Sequence, residues 1–197
     1  FNQAREKIIY LSQQENYVSI VPVVKYGNVE VPVFSKKQIY DTDPNGNMLK
    51  VSRDLELEEQ FTAVLVRQHP YFEEQLYEGE FFYLHIDRFL DEQWFLDVFE
   101  EWRNQHILVL GFNDIKKNKL NLNKAKVTIH VSSGIDWFNA TLKVNYGKET
   151  ATLKQLYKAI REKSKYVQLD DGTLGVLPEE WMKKIERYFR AGEVVEE

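Results

Sequence analysis

The chain has 197 residues, no cysteine and a net charge of −5. That length suffices for one large or two small domains, and the missing cysteine excludes disulfides and thiolate metal sites. An aromatic content of 14% argues against disorder, and no apolar run approaches the ~18 residues that span a bilayer.

Residues 1–53 read as β-structure. Tyr17 to Phe34 is rich in Val and Ile and is interrupted by Gly27-Asn28, which suits a two-residue hairpin turn. Pro22 and Pro32 lack the donor of a ladder hydrogen bond, so they mark an edge or a local bulge. A second hairpin is expected from Gln38–Tyr40 to Met48–Val51, with a type I′ turn at Asn45-Gly46.

A helix is predicted from Asp54 to just before Pro70, with Leu57, Phe61, Val64 and Leu65 on one face. Phe81 to Phe89 reads as a buried strand. Asp91 is an N-cap for a helix whose Trp94, Phe95, Val98, Phe99 and Trp102 form an inward stripe. Ile107 to Phe112 reads as a strand. The Lys/Asn-rich run 113–123 reads as a boundary or exposed tip.

Lys126 to Val131 alternates as a strand, and Asp136 to Tyr146 is a further strand with a turn at Gly147. Thr152 and Gln155 form a capping box. The helix that follows is predicted to bury Leu153, Leu156, Tyr157 and Ile160 and to expose Lys154, Lys158, Arg161 and Lys165. Tyr166–Leu169, the Asp170-Asp171-Gly172 turn and Leu174–Leu177 make a hairpin. Pro178 at N1 and two glutamates in the first turn open the last helix. It turns Trp181, Ile185, Tyr188 and Phe189 inward, and Gly192 reads as its C′ residue.

Little of this carries chemistry. Asp41-Thr42-Asp43-Pro44-Asn45-Gly46 resembles half a calcium loop, but Ser52 stands where a bidentate acid is needed, so a hairpin turn is the preferred reading. The histidines His69, His85, His106 and His130 have no metal-ligand spacing. No carboxylate pair stands out as an acid/base couple. No Gly-x-Ser-x-Gly elbow is present, and Gly172-x-x-Gly175 lacks the Lys-Ser/Thr of a phosphate loop. No catalytic residue, metal or cofactor is therefore expected in this segment.

Charge is uneven. Between Asp54 and Glu101 the basic residues are Arg67 and Arg88, whereas Arg103 to Lys165 is rich in lysine. Successive cations on one helix face can track a phosphate backbone. Lys154, Lys158, Arg161 and Lys165 are the candidate nucleic-acid contacts, with Lys116, Lys117 and Lys119 as a loop contribution. A solvated surface of uneven charge is the plainer reading of the same residues.

The run Ile135-Asp136-Trp137-Phe138, the helix Leu153–Ile160, Tyr166-Val167-Gln168-Leu169-Asp170-Asp171-Gly172 and Leu177-Pro178-Glu179-Glu180-Trp181 resembles the bacterial Snf-two helicase-associated domain. The resemblance is looser around Arg53-Asp54 with Glu58 and Glu59, and in Phe81–Trp102. It implies a non-catalytic region N-terminal to an ATP-driven DNA translocase whose phosphate loop would lie beyond Glu197. It carries over no catalytic residue. Asp136, Trp137, Phe138, Gly172 and Pro178 are motif residues with structural roles: a turn or cap, core anchors and backbone punctuation.

The expected fold class is α+β: a β-hairpin-rich N-terminal part, a mixed α/β middle and a small C-terminal α+β unit of ββαββα type. The expected domains are a β-rich segment 1–53, an α+β middle 54–131 and the helicase-associated unit 132–197. The sequence reads as an excised region of a longer bacterial, cytoplasmic protein. Its expected function is to regulate the motor domains of the same chain or help hold double-stranded DNA. The alternative is a protein–protein interaction module with no nucleic-acid contact and no membrane.

Overall fold

The structure, a computed structural model, describes residues 4–115, 119–131 and 140–190, which form helices and small sheets in about equal measure, an α+β fold. They belong to two compact units, 1–118 and 119–197. The expected roles of Asp136, Trp137, Phe138 and Gly192, and the inward faces of Ile185, Tyr188 and Phe189, lie outside what is described. No helix among the described residues is long and apolar enough to cross a membrane.

The first unit is organised by one long hairpin. Strands β1 (Arg5–Gln14) and β2 (Tyr17–Tyr26) pair antiparallel over their whole length. The Gly27-Asn28 turn then leads into the edge strand β3 (Val29–Pro32). Although Pro22 was expected to mark an edge or a bulge, β2 is central. Its outer side pairs with β6 (Phe82–His85) through residues 17–20 and with β3 through residues 23–26, and Pro22 lies in the gap between them. The Pro22 carbonyl accepts from Val33 N–H at 3.0 Å on that side. The donor that proline lacks would face the same gap, so no ladder bond is lost. Strand β7 (Leu108–Leu110) adds in parallel to Ile8–Tyr10 of β1 and completes the sheet.

The second hairpin, β4 (Tyr40–Thr42) with β5 (Met48–Lys50), forms as expected but with a different turn. Gly46 N–H donates to the Asp43 carbonyl at 2.9 Å and only Gly46, at φ +84°, is left-handed. A type I′ turn needs positive φ at both central residues. Pro44 fixes negative φ after Asp43, and the Asp43 carboxylate accepts from the N–H groups of Asn45 and Asn47. The loop therefore closes around Asp43.

Three helices and a single turn of helix cover the sheet. α1 (Leu55–Val66) is capped by Asp54, whose carboxylate accepts from Leu57 N–H at 3.1 Å. α2 (Pro70–Gln75) starts at the proline that ends the preceding segment. The strand expected over Phe81–Phe89 is only β6. Its continuation is the one-turn α3 (Ile86–Phe89), because the His85 side chain accepts from Asp87 N–H and caps it. α4 (Glu92–Asn104) buries Phe95, Val98, Phe99 and Trp102 of its predicted stripe, each such side chain contributing about 1.5–3 kcal/mol. Trp94 is half-buried, its Nε1–H donating to the Gln68 carbonyl at 2.7 Å. The buried Trp102 Nε1–H donates to Gln68 Oε1 at 2.9 Å, so the ring is buried without an orphan donor. The strand expected over Ile107–Phe112 is shortened to β7 by Gly111 at φ 92°, after which Phe112–Asp114 forms a 3-10 turn.

The second unit runs β8 (Lys126–Val131), β9 (Ala140–Tyr146), β10 (Glu149–Ala151), α5 (Leu153–Arg161), β11 (Tyr166–Gln168), β12 (Leu174–Val176) and α6 (Glu179–Arg190). From β9 onward the order is ββαββα. β8, β9 and β10 form one antiparallel sheet, and β11–β12 a separate hairpin. The core joins Val144 and Tyr146 to Leu156, Ala159, Val167, Leu169 and Leu177. Segment 119–121 braces β12: Leu174 N–H donates to the Lys119 carbonyl at 2.6 Å, and Asn121 N–H to the Leu174 carbonyl at 2.7 Å. Pro178 caps α6 from just outside, not at its first helical position. Its carbonyl accepts the first intrahelical bond, from Met182 N–H at 3.0 Å.

Both α4 and α5 end in the same hydrogen-bonded motif. After α4, Ile107 N–H donates to the Trp102 carbonyl and His106 N–H to that of Arg103. After α5, Ser164 N–H donates to the Ala159 carbonyl and Lys163 N–H to that of Ile160. These are the paired bonds of the Schellman cap, which places its C′ residue in the left-handed region. Here that residue is His106 at φ 57° and Lys163 at φ 54°. A side chain is disfavoured there by about 1 kcal/mol relative to glycine. His106→Gly and Lys163→Gly are each expected to raise stability by up to about 1 kcal/mol in urea unfolding, whereas glycine at helical Lys158 lowers it by about the same amount.

Candidate functional site

α5 holds three of the four cations that charge and spacing singled out, Lys154, Lys158 and Arg161. Its capping box is complete: Gln155 N–H donates to Thr152 Oγ1 at 3.2 Å, and Thr152 N–H to Gln155 Oε1 at 2.9 Å. The Gln155 amide also donates to Asp170 at 2.7 Å, which ties the start of the helix to the β11–β12 turn. With Leu156 and Ala159 buried, Lys154, Lys158 and Arg161 emerge on the solvent side.

Two expectations about this helix change. Lys165 does not continue the stripe, because the Schellman cap ends α5 at Arg161; Lys165 is exposed in the link to β11. Tyr157 was expected in the core. It is 48% exposed, and Ala159 takes the inward position. The Arg161 guanidinium stands 5.5 Å from the centre of the Tyr157 ring, a cation–π arrangement.

Between α5 and β11 lies an open groove of about 770 Å³. Lys154, Lys158 and Arg161 line it together with Tyr157, Tyr166, Gln168, Glu162 and Asp170. Lys119 is exposed at the start of the unit and its carbonyl braces β12. Lys116 and Lys117 lie outside the described residues. Gly172 occupies the β11–β12 turn at φ 85°, and Pro178 the α6 cap.

The Arg53–Glu58 pattern of the first unit is a buried polar network. Glu58 is 3% exposed. Its carboxylate accepts from Arg53 Nε at 3.1 Å and from the Tyr26 hydroxyl at 2.8 Å. Arg53 also donates to the carbonyls of Val33 and Ser35, and the Tyr26 oxygen accepts from Asp54 N–H at 2.9 Å. The network pins the chain after β3 to the start of α1. Its signal was present in the sequence: Glu58 lies three residues before Phe61 and seven before Leu65, on the buried side of the helix. Burial, with the hydrogen bond to Glu58, pushes the Tyr26 phenol up to about 12.

A second cleft, of about 310 Å³, opens on the first unit between α2 and β6. Tyr17, Tyr71 and Tyr83 are exposed there beside Glu74 and Glu78. The Tyr17 and Tyr83 rings meet edge to face at 6.0 Å, and Arg88 lies over Tyr71 at 4.8 Å. Nothing in the sequence pattern separated these tyrosines from core residues. Within the cleft Gln75 ties α2 to β6, its amide exchanging two hydrogen bonds with the Tyr83 backbone.

The two units share an α+β build, with a groove of mixed charge on the second and a buried ion-pair network in the first. A family model described as bacterial SNF2 helicase associated matches residues 4–193. The chain belongs to that family, and the match reaches well upstream of the C-terminal motifs, into the β1–β2 hairpin. No curated protein and no solved structure matches the chain.

The Tyr26 phenol gives a pH signature. An unfolded tyrosine ionises near 10. With the folded value raised to about 12, its contribution is fully present below pH 10 and is lost as pH rises through 12. Urea unfolding is expected to show a decline over that window that Tyr26→Phe reduces, Tyr146 in the other unit supplying a remainder through its buried phenol. Glu58→Ala, which leaves Arg53 without its partner, is expected to cost about 3–5 kcal/mol.

Proposed function

We propose that this chain is a non-catalytic accessory region of a bacterial SNF2-type, ATP-dependent DNA motor, and that it assists the motor by holding DNA on the basic side of its second unit. The observation that carries this reading is the exposed row Lys154, Lys158 and Arg161, set along a groove, in a member of the helicase-associated family. Cations in that row release condensed counterions when they meet phosphates. Lys165 and Lys119, both exposed in the same unit, extend the charge. The motor domains of the same chain are the principal partner in this reading, and the segment itself needs no cofactor.

A second reading has its own support. The cleft of Tyr17 and Tyr83 beside Glu74 and Glu78 suits a basic protein segment, since aromatic faces and carboxylates both receive cations, as the Tyr71 ring there already receives Arg88. In that case the region would be an interaction module.

A salt titration separates the two. If the row meets DNA, the triple variant Lys154→Glu, Lys158→Glu and Arg161→Glu should flatten the slope of log K against log salt by about 2–3. An unchanged slope, together with a partner protein retained at high salt through the first unit, would favour the interaction reading.

A further inference from the structure

We infer that the groove between α5 and β11 takes single-stranded DNA in preference to duplex. The inference rests on the reading that this basic side meets DNA, and it names the form of DNA. Duplex contact through phosphates needs only exposed cations, because the base faces are stacked inside the helix. This groove holds more than cations. Tyr157, 48% exposed, stands among Lys154, Lys158 and Arg161, with the Arg161 guanidinium 5.5 Å from its ring centre. An aromatic platform inside a cationic channel is the arrangement on which unpaired bases stack while their phosphates are neutralised. The remaining polar lining includes two carboxylates. Glu162, Asp170 and Gln168 border the groove, and Asp170 already accepts from the Gln155 amide. A carboxylate there opposes a phosphate, but it can accept from the exocyclic amino group of a base that enters the groove. The preference for single strands rests on the exposed Tyr157 ring, on which a duplex has no free base face to stack.

The test compares a single-stranded oligonucleotide with the duplex of the same sequence, by fluorescence anisotropy at two salt concentrations, with the chain and its variants. The expected result is tighter binding of the single strand. Tyr157→Leu should weaken single-strand binding about tenfold, since one stacked base contributes about that factor. Tyr157→Phe should retain the affinity, and neither should alter duplex binding. Unchanged thermal melting would show that both variants fold. Equal affinity for the two forms, or a Tyr157→Leu variant that binds single strands like the parent, overturns the inference. Salt-dependent duplex binding in the same experiment would then leave the proposed DNA contact standing. Failure of both oligonucleotides to bind overturns the two together.

Discussion

The second unit depends on one contact between an aromatic ring and a missing side chain. Tyr146, at the end of β9, is fully buried, and its ring lies over Gly175 in the middle of β12. A Cβ at Gly175 would come within 2.6 Å of the ring, closer than packed atoms approach. The Tyr146 hydroxyl then donates to the Val176 carbonyl at 3.2 Å, and its own carbonyl accepts from Asn121. One residue thus fastens the three-stranded sheet to the β11–β12 hairpin and to the segment that enters the unit. α5 is packed within this frame by Leu156 and Ala159. The exposed cations and the groove beside them follow from that placement.

Charged residues play two distinct parts in the molecule. In the first unit Glu58 and Arg53 are withdrawn from water and satisfied by each other, by Tyr26 and by backbone carbonyls. Such a buried pair specifies geometry more than it adds stability. Glu101 belongs to a related network. Burial pushes its carboxyl up, but hydrogen bonds from Gln68 and Arg67 outweigh this and hold it below the usual range. In the second unit the cations of α5 stay in solvent, where their field is available to a polyanion. The proposed interface draws on the second kind alone.

The sequence was legible where the determinant is local. The Thr152–Gln155 capping box, the Asp54 and Asp91 caps and the aromatic stripe of α4 each lie within a few residues, and all form. The Gly27-Asn28 turn is equally short-range. What sequence could not fix was set by distant partners or by competing local bonds. The parallel pairing of β7 with β1 joins residues about a hundred positions apart in the chain. Helical spacing carried Lys165 onto the cationic stripe, but no glycine announced the left-handed Lys163 that ends α5. A tyrosine on a helix reads as core by composition. Tyr157 is turned outward, and the small Ala159 joins Val167 and Leu169 of the hairpin in the core.

The central claim is that the α5 side of the second unit is where this region meets DNA. Hydrogen–deuterium exchange of the chain, alone and saturated with DNA, tests it most directly. The account predicts slowed exchange across residues 153–168 with little change in α1, whose amides belong to the other unit. Protection confined to the α2–β6 cleft, or no change in 153–168 at saturation, would contradict it.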